Sequence, residues 1–188
     1  VGGFDDEWTP CRVTQCEYPL HSTLNFLYLA TDDGAVHVMD TSSSSLIDYT
    51  VAPSDLGLPA EVEQTGMSPE VVAMAPNPTC EGELLVAFQY SGIFLYDLAR
   101  RKVKSRYTLP EPPGDEKDRH GDNEGAVRCV AWHISGDQFA VGFEGGFLHV
   151  WRSNSKTGHT QLVDPNAPVD QMRTVRDPPP PPRGVAYT

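Results

Sequence analysis

The sequence predicts an all-β fold assembled from repeated four-stranded sheets, and three observations carry that reading. The first is composition: the 188 residues include 16 glycines and 17 prolines, a density of helix breakers that disfavours a helical bundle. The second is an internal repeat. The segments VTQCEY from Val13, VVAMAP from Val71 and VRCVAW from Val127 share an opening valine, a Cys, Met or Val at the fourth place and a ring at the sixth, at offsets of 58 and 56. The third is the series of short apolar runs after each of these segments, separated by small-residue turns and never sustained at helical spacing.

The elements of each repeat come in a fixed order. The repeated segment is a first strand, and behind it lie FLYLAT at 26–31, LLVAFQ at 84–89 and QFAVGFE at 138–144, rich in strand formers. Third strands end GAVHVMD, SGIFLYD and GGFLHVWR, which stacks Met39, Tyr96 and Trp151 in one column and Asp40, Asp97 and Arg152 in the next. Fourth strands are expected at SLIDYTV, 45–51, VKSRYTL, 103–109, and TQLV, 160–163. Four strands in tandem, with a Trp-Asp-like ending on the third, predict a β-propeller fragment of WD-like blades. The blades fall at 12–51, 70–109 and 126–163, after the end of a preceding blade or linker at 1–11. The first strand of a fourth falls at 184–188, where Val185 lies one more repeat on. Burial explains the near-continuous apolar second strands, because a sheet covered on both faces has no polar side.

A WD blade takes about 40–45 residues, and each copy here is longer. The surplus lies at 52–69, at 110–125, which is acidic, and at 164–183, which is proline-rich. All three join a fourth strand to the next first strand and so gather on one rim. One helical turn is expected over Pro59 to Gln64. Propellers close with about four to eight blades, so three blades and a start make an incomplete ring. The remaining blades of the same propeller are then the first partners of this chain, which reads as an excised piece with association-prone end faces.

Charge and motif content exclude several function classes. Acids outnumber cations 26 to 14, a net charge of -12, which argues against a nucleic-acid groove. Cys11, Cys16, Cys80 and Cys129 form no CxxC pair or even framework, in keeping with a reducing, cytosolic setting. Cys16 and Cys129, on first strands, are expected to be buried as small hydrophobes. No apolar run approaches the roughly 18 residues of a membrane span, and VGGFDDEW lacks a signal-peptide pattern. With no GxSxG elbow, phosphate-cradling glycine loop or HExxH helix, no catalytic, cofactor-binding or metal-binding residue is assigned. His37 and His149 share a column and read as blade packing, and His120, between Asp118 and Asp122, as part of a solvated loop.

Three segments remain as candidate recognition sites. Asp115, Glu116, Asp118, Asp122 and Glu124 of the acidic insertion form a surface for a basic partner. Arg100, Arg101, Lys102, Lys104 and Arg106 hold five of the 14 cations at the turn into a fourth strand, opposite the insertions. They suit an anionic membrane, at about 1 kcal/mol per cation, or an acidic helix; a solvated hairpin whose charges discourage edge pairing fits them equally. Ser42 to Ser45 occupy the equivalent turn one blade earlier, as turn formers or modification sites. Pro178, Pro181 and Arg183 have the PxxPxR spacing of an SH3-type ligand in polyproline II form, and a proline-stiffened link explains them as well.

Over NPTCEGELLVAFQYSGIFLYDL, Asn77 to Leu98, and WHISGDQFAVGFEGGFLHVW, Trp132 to Trp151, the sequence resembles the lethal giant larvae and tomosyn family. The shared text is the Asn77-Pro78 turn, the strand Leu84 to Phe88, the ending Tyr96-Asp97-Leu98, and Trp132-His133 with Gly136, Gln138 and Phe139. LYLATDDGAVHVMD is similar to the matching family blade. The chain departs from the pattern in Tyr96, where the family has Trp, and in Arg152, where the blade ending lacks its Asp and its hydrogen-bond network is expected to weaken. The resemblance implies an N-terminal propeller of a two-propeller protein that acts without catalysis. It implies binding to syntaxin-class SNARE proteins and other exocytic and polarity machinery, with myosin II and small-GTPase regulation in some members. It also implies a cytoplasmic protein, peripheral at the plasma membrane and cell cortex. A generic WD-repeat scaffold of an unrelated complex is the alternative.

Overall fold

Alternating side chains and tight turns arrange the chain as three antiparallel sheets in a computed structural model that describes residues 11–19, 25–58, 69–109, 125–144, 146–155 and 158–162. Blade A holds β1 (Val13–Glu17), β2 (Phe26–Thr31), β3 (Val36–Asp40) and β4 (Ser45–Val51). Blade B holds β5 (Val71–Pro76), β6 (Glu83–Phe88), β7 (Gly92–Asp97) and β8 (Lys102–Tyr107). Blade C holds β9 (Val127–Trp132), β10 (Gln138–Phe143), β11 (Phe147–Arg152) and β12 (Gly158–Leu162). In each sheet the strands pair in simple chain order, as hairpin connections require.

The repeat extends to backbone detail. In all three blades the pairing of first and second strands skips one residue at the same place, leaving Thr14, Val72 and Arg128 as bulges, which sharpen strand twist. The amides of Thr41, Leu98 and Ser153 donate to the carbonyls of Asn25, Gly82 and Asp137 at 2.7, 2.8 and 2.8 Å, closing each blade at the same rim. First strands lie side by side: β5 contacts both β1 and β9. The Thr14 hydroxyl donates to the Val71 carbonyl at 2.8 Å, and the Trp132 indole N–H to the Ala75 carbonyl at 2.9 Å.

Burial separates the middle blade from its neighbours. Every residue of β6 and β7 is buried, whereas β10 and β11 alternate. The period of two explains both patterns. Leu84, Val86, Phe88, Phe94 and Tyr96 point to blade A, where they meet Tyr28, Ala30, Val36 and Val38. Leu85, Ala87, Ile93 and Leu95 point the other way, to Phe139, Val141, Phe147 and Trp151 of blade C. The column Met39, Tyr96, Trp151 therefore faces back toward the preceding blade. Trp151 stacks on Phe139 with ring centroids 5.6 Å apart, and Tyr107 meets Phe139 edge-on at 4.8 Å.

This geometry corrects the expectation for Cys16 and Cys129. Both lie on first strands, yet both are exposed. Cys16 stands in the backward column of Met74, which blade A covers, and Cys129 in the forward column of Ala73, which blade C covers. Among the described residues nothing lies over the corresponding faces of blades A and C. The expected turn at Pro59 to Gln64 lies outside the described residues. A 3-10 turn forms at Pro53–Leu56, and Leu56, 1% exposed, plugs the seam between blades A and B.

Gly136 seals the second seam. Its φ of +69° is left-handed, and an added Cβ would sit 2.0 Å from the Thr79 hydroxyl and 2.4 Å from the Asn77 side-chain oxygen. Gly136→Ala combines a left-handed penalty of about 1–2 kcal/mol with disruption of buried hydrogen bonds. We expect a stability loss of about 2–4 kcal/mol in urea melts, and a change below about 0.5 kcal/mol, the usual range for a surface substitution, would contradict the seam geometry.

Candidate functional site

Besides the uncovered faces of blades A and C, two rims and two seams are the surfaces the described residues offer. On the rim of the turns between third and fourth strands, Asp40 accepts the Ser42 amide at 2.8 Å and Asp97 the Arg100 amide at 2.9 Å. These amides hold both carboxyls below their usual range. Each turn then places a non-glycine residue in the left-handed region four positions after its Asp, Ser44 at φ 53° and Arg101 at φ 52°. Blade C has Arg152 in place of the Asp, and there the Ser155 amide closes the turn on the Arg152 carbonyl at 3.0 Å.

The cations of the basic run are all exposed, and those with described contacts have different partners. Arg100 pairs with Asp97 at 3.0 Å, and the Arg101 guanidinium lies 4.6 Å from the centre of the Tyr49 ring, across the seam in blade A. Lys102 is exposed at the start of β8. Lys104 is ion-paired with the largely buried Glu83, and that bond holds its ammonium above the usual range. Arg106 lies over the Phe94 ring at 4.9 Å and donates to the Leu56 carbonyl at 2.6 Å, reaching the start of the insertion on the opposite rim. The acidic-insertion residues Asp115, Glu116, Asp118, Asp122 and Glu124, and the proline-rich Pro178, Pro181 and Arg183, lie outside the described residues.

Sequence reasoning missed the groups that close the seams. Tyr49 donates its phenol to the Leu98 carbonyl at 2.6 Å, and Tyr107 does the same to the Ser153 carbonyl at 2.6 Å. In both cases a fourth-strand tyrosine latches onto the residue just past the next blade's third strand. The repeated Tyr-Thr dipeptide, Tyr49-Thr50 and Tyr107-Thr108, is the only trace of this in the sequence. In the second seam Glu83 also accepts from the Asn77 carboxamide at 3.0 Å, and that carboxamide crosses to the Gly136 carbonyl at 3.1 Å. His149 is buried beside Trp151, ring centroids 4.0 Å apart, as packing requires. Among the described residues no group of three His, Cys, Asp or Glu side chains is placed to hold a metal ion, and no helix is long and apolar enough to cross a membrane.

Comparison with solved structures decides the fold. The chain superposes on a WD40 propeller protein in the crystal structure of the mitotic checkpoint complex, with a TM-score of 0.51 and 18% identity over 73% of its length. The fold is that of WD-repeat propeller blades. This chain spans 35% of the propeller protein it matches. No family model matches the sequence.

The tyrosine latches make two testable statements. Tyr49→Phe and Tyr107→Phe should each cost about 1 kcal/mol, and the two losses should add, because the seams share no latch partner. Burial, with Tyr96 next, pushes the Tyr49 phenol up to about 12. A raised folded-state value means its contribution is intact below the unfolded value of about 10 and is lost as pH rises toward 12. Urea melts at about pH 8 and about pH 11, on either side of the unfolded value, should show a fall that Tyr49→Phe reduces; an equal fall in both proteins would contradict the burial of this phenol.

Proposed function

We propose that the protein is a non-enzymatic scaffold that regulates SNARE-dependent vesicle docking, exocytosis and cell polarity by binding syntaxin-class SNAREs. It works in the cytoplasm, peripherally at the plasma membrane and cell cortex, with myosin II and small-GTPase pathways as further contacts. The observation that carries the scaffold reading is the architecture: rigid, latched sheets that present their loops on two rims, where recognition residues are normally carried. The SNARE reading rests on the likeness to lethal giant larvae and tomosyn proteins over Asn77 to Leu98 and Trp132 to Trp151. Both segments coincide with second and third strands and their shared turn. A second reading, a scaffold subunit of an unrelated complex, draws on the fold neighbour, a propeller protein within the mitotic checkpoint complex.

The insertions between blades are the proposed capture surface for a basic partner segment, and Asp115, Glu116, Asp118, Asp122 and Glu124 supply its charge. Affinity should fall as salt rises. Immobilised full-length protein should retain a syntaxin-class SNARE from a membrane extract. Changing the five acids to Asn and Gln should weaken that capture while the melting temperature stays unchanged. Retention of no SNARE would favour the generic scaffold. Capture that survives the five changes but is lost on altering Arg100, Arg101 and Lys102 would move the binding face to the other rim, where contact with an anionic membrane is also proposed. Proline-rich Pro178, Pro181 and Arg183 are proposed as an SH3-type ligand.

A further inference from the structure

The two seams share one plan, and one difference between them leaves a groove open. In the seam between blades B and C, the first position of β6 is Glu83 and the second residue after the β8 start is Lys104; together with Asn77 they fill the rim end of the seam with a polar network. By strand pairing, the matching positions in blade A are Phe26, opposite Asp40 as Glu83 is opposite Asp97, and Ile47, next after Leu46 as Lys104 is next after Val103. An ion pair in one seam is thus an apolar pair in the other. With the polar network replaced, an open groove of about 210 Å³ remains, lined by Phe26, Tyr28, Val38, Ile47, Tyr49 and Leu98. That exceeds the roughly 150 Å³ cavity that takes up benzene in an apolar protein interior.

The lip of this groove carries a positioned cation. Arg101 is held in the left-handed region, uncommon for a long side chain, and its guanidinium lies on the Tyr49 ring that lines the groove. It is exposed, and among the described residues no acceptor takes its N–H groups. A guanidinium immobilised by stacking, with its donor edges open to water, suits a carboxylate. Glu81, also exposed, lines the groove as well and disfavours a second acid on its side. We infer that the groove between blades A and B binds a peptide segment of a partner protein, with an apolar, preferably aromatic, side chain in the groove and an adjacent carboxylate on Arg101. This rests on the seam geometry and not on the SNARE reading.

The probe is a fluorescein-labelled hexapeptide with one tryptophan flanked on one side by two glutamates, compared with a twin in which lysines replace the glutamates. Anisotropy and amide chemical shifts are read on the full chain. The glutamate peptide should bind at least tenfold more tightly than its twin and shift the amides of Ile47, Tyr49 and Leu98. Arg101→Ala should remove the preference between the twins. Phe26→Glu with Ile47→Lys, which copies the second seam into the first, should abolish binding without lowering the melting temperature. If that pair of changes impairs folding, Arg101→Ala still decides, since it alters only an exposed side chain. Equal affinity for the twins, shifts confined to other surfaces, or no binding at millimolar peptide would each overturn the inference.

Discussion

A β-sheet with two apolar faces is stable only when both are covered, and that constraint organises this structure. Blade B satisfies it fully, with the nine aliphatic and aromatic side chains of β6 and β7 divided between two neighbours by nothing more than the alternation of a strand. Leu84 and Leu85 are adjacent in sequence and both wholly buried, yet they belong to different seams. Burying a side chain of this size stabilises by roughly 1.5–3 kcal/mol, so the seams hold most of the favourable energy and the sheets act as spacers between them.

Polar groups in the seams set register more than they add stability. The Tyr49 and Tyr107 phenols satisfy carbonyls that would otherwise be left beside apolar walls, and the Asn77 carboxamide bridges Glu83 and Gly136. Each such bond contributes only about 1 kcal/mol net but is costly to break once buried. A blade that slid by one residue would lose them all. The left-handed backbone at Ser44 and Arg101 repeats because both turns begin with an Asp that accepts an amide two or three residues on. Strain of that kind is maintained by the surrounding turn, and at Arg101 it brings a cation across the seam.

Much of this is legible in the sequence because a propeller writes its plan three times. The stacked columns of Met39, Tyr96 and Trp151 and of Asp40, Asp97 and Arg152 locate the third strands, and the apolar second strands announce sheets covered on both faces. What sequence cannot supply is direction. In a continuous apolar run such as ELLVAF, alternation is invisible, so the face of each residue emerges only when neighbours are placed. Cys16 and Cys129 depart from expectation for that reason: their strands are internal, but their columns face outward. The start of the insertion after β4 reads as loop, although the proline at Pro53 and the glycine at Gly57 bracket the turn that buries Leu56. Five cations of the basic run are close in sequence, yet Arg106 reaches Leu56 and Lys104 reaches Glu83, because the register of β7 and β8 shifts at Lys104 and turns these two residues to opposite faces.

The central claim is that the middle sheet is the most protected element because both its faces are covered. Native-state amide exchange measures this directly, since protection tracks the free energy of local opening. The account predicts that amides of β6 and β7, Glu83–Phe88 and Gly92–Asp97, exchange most slowly. Those of β2, β3, β10 and β11 should open at lower free energy, through the faces that nothing among the described residues covers. Equal protection across the three sheets, or slowest exchange in blade A or C, would contradict it.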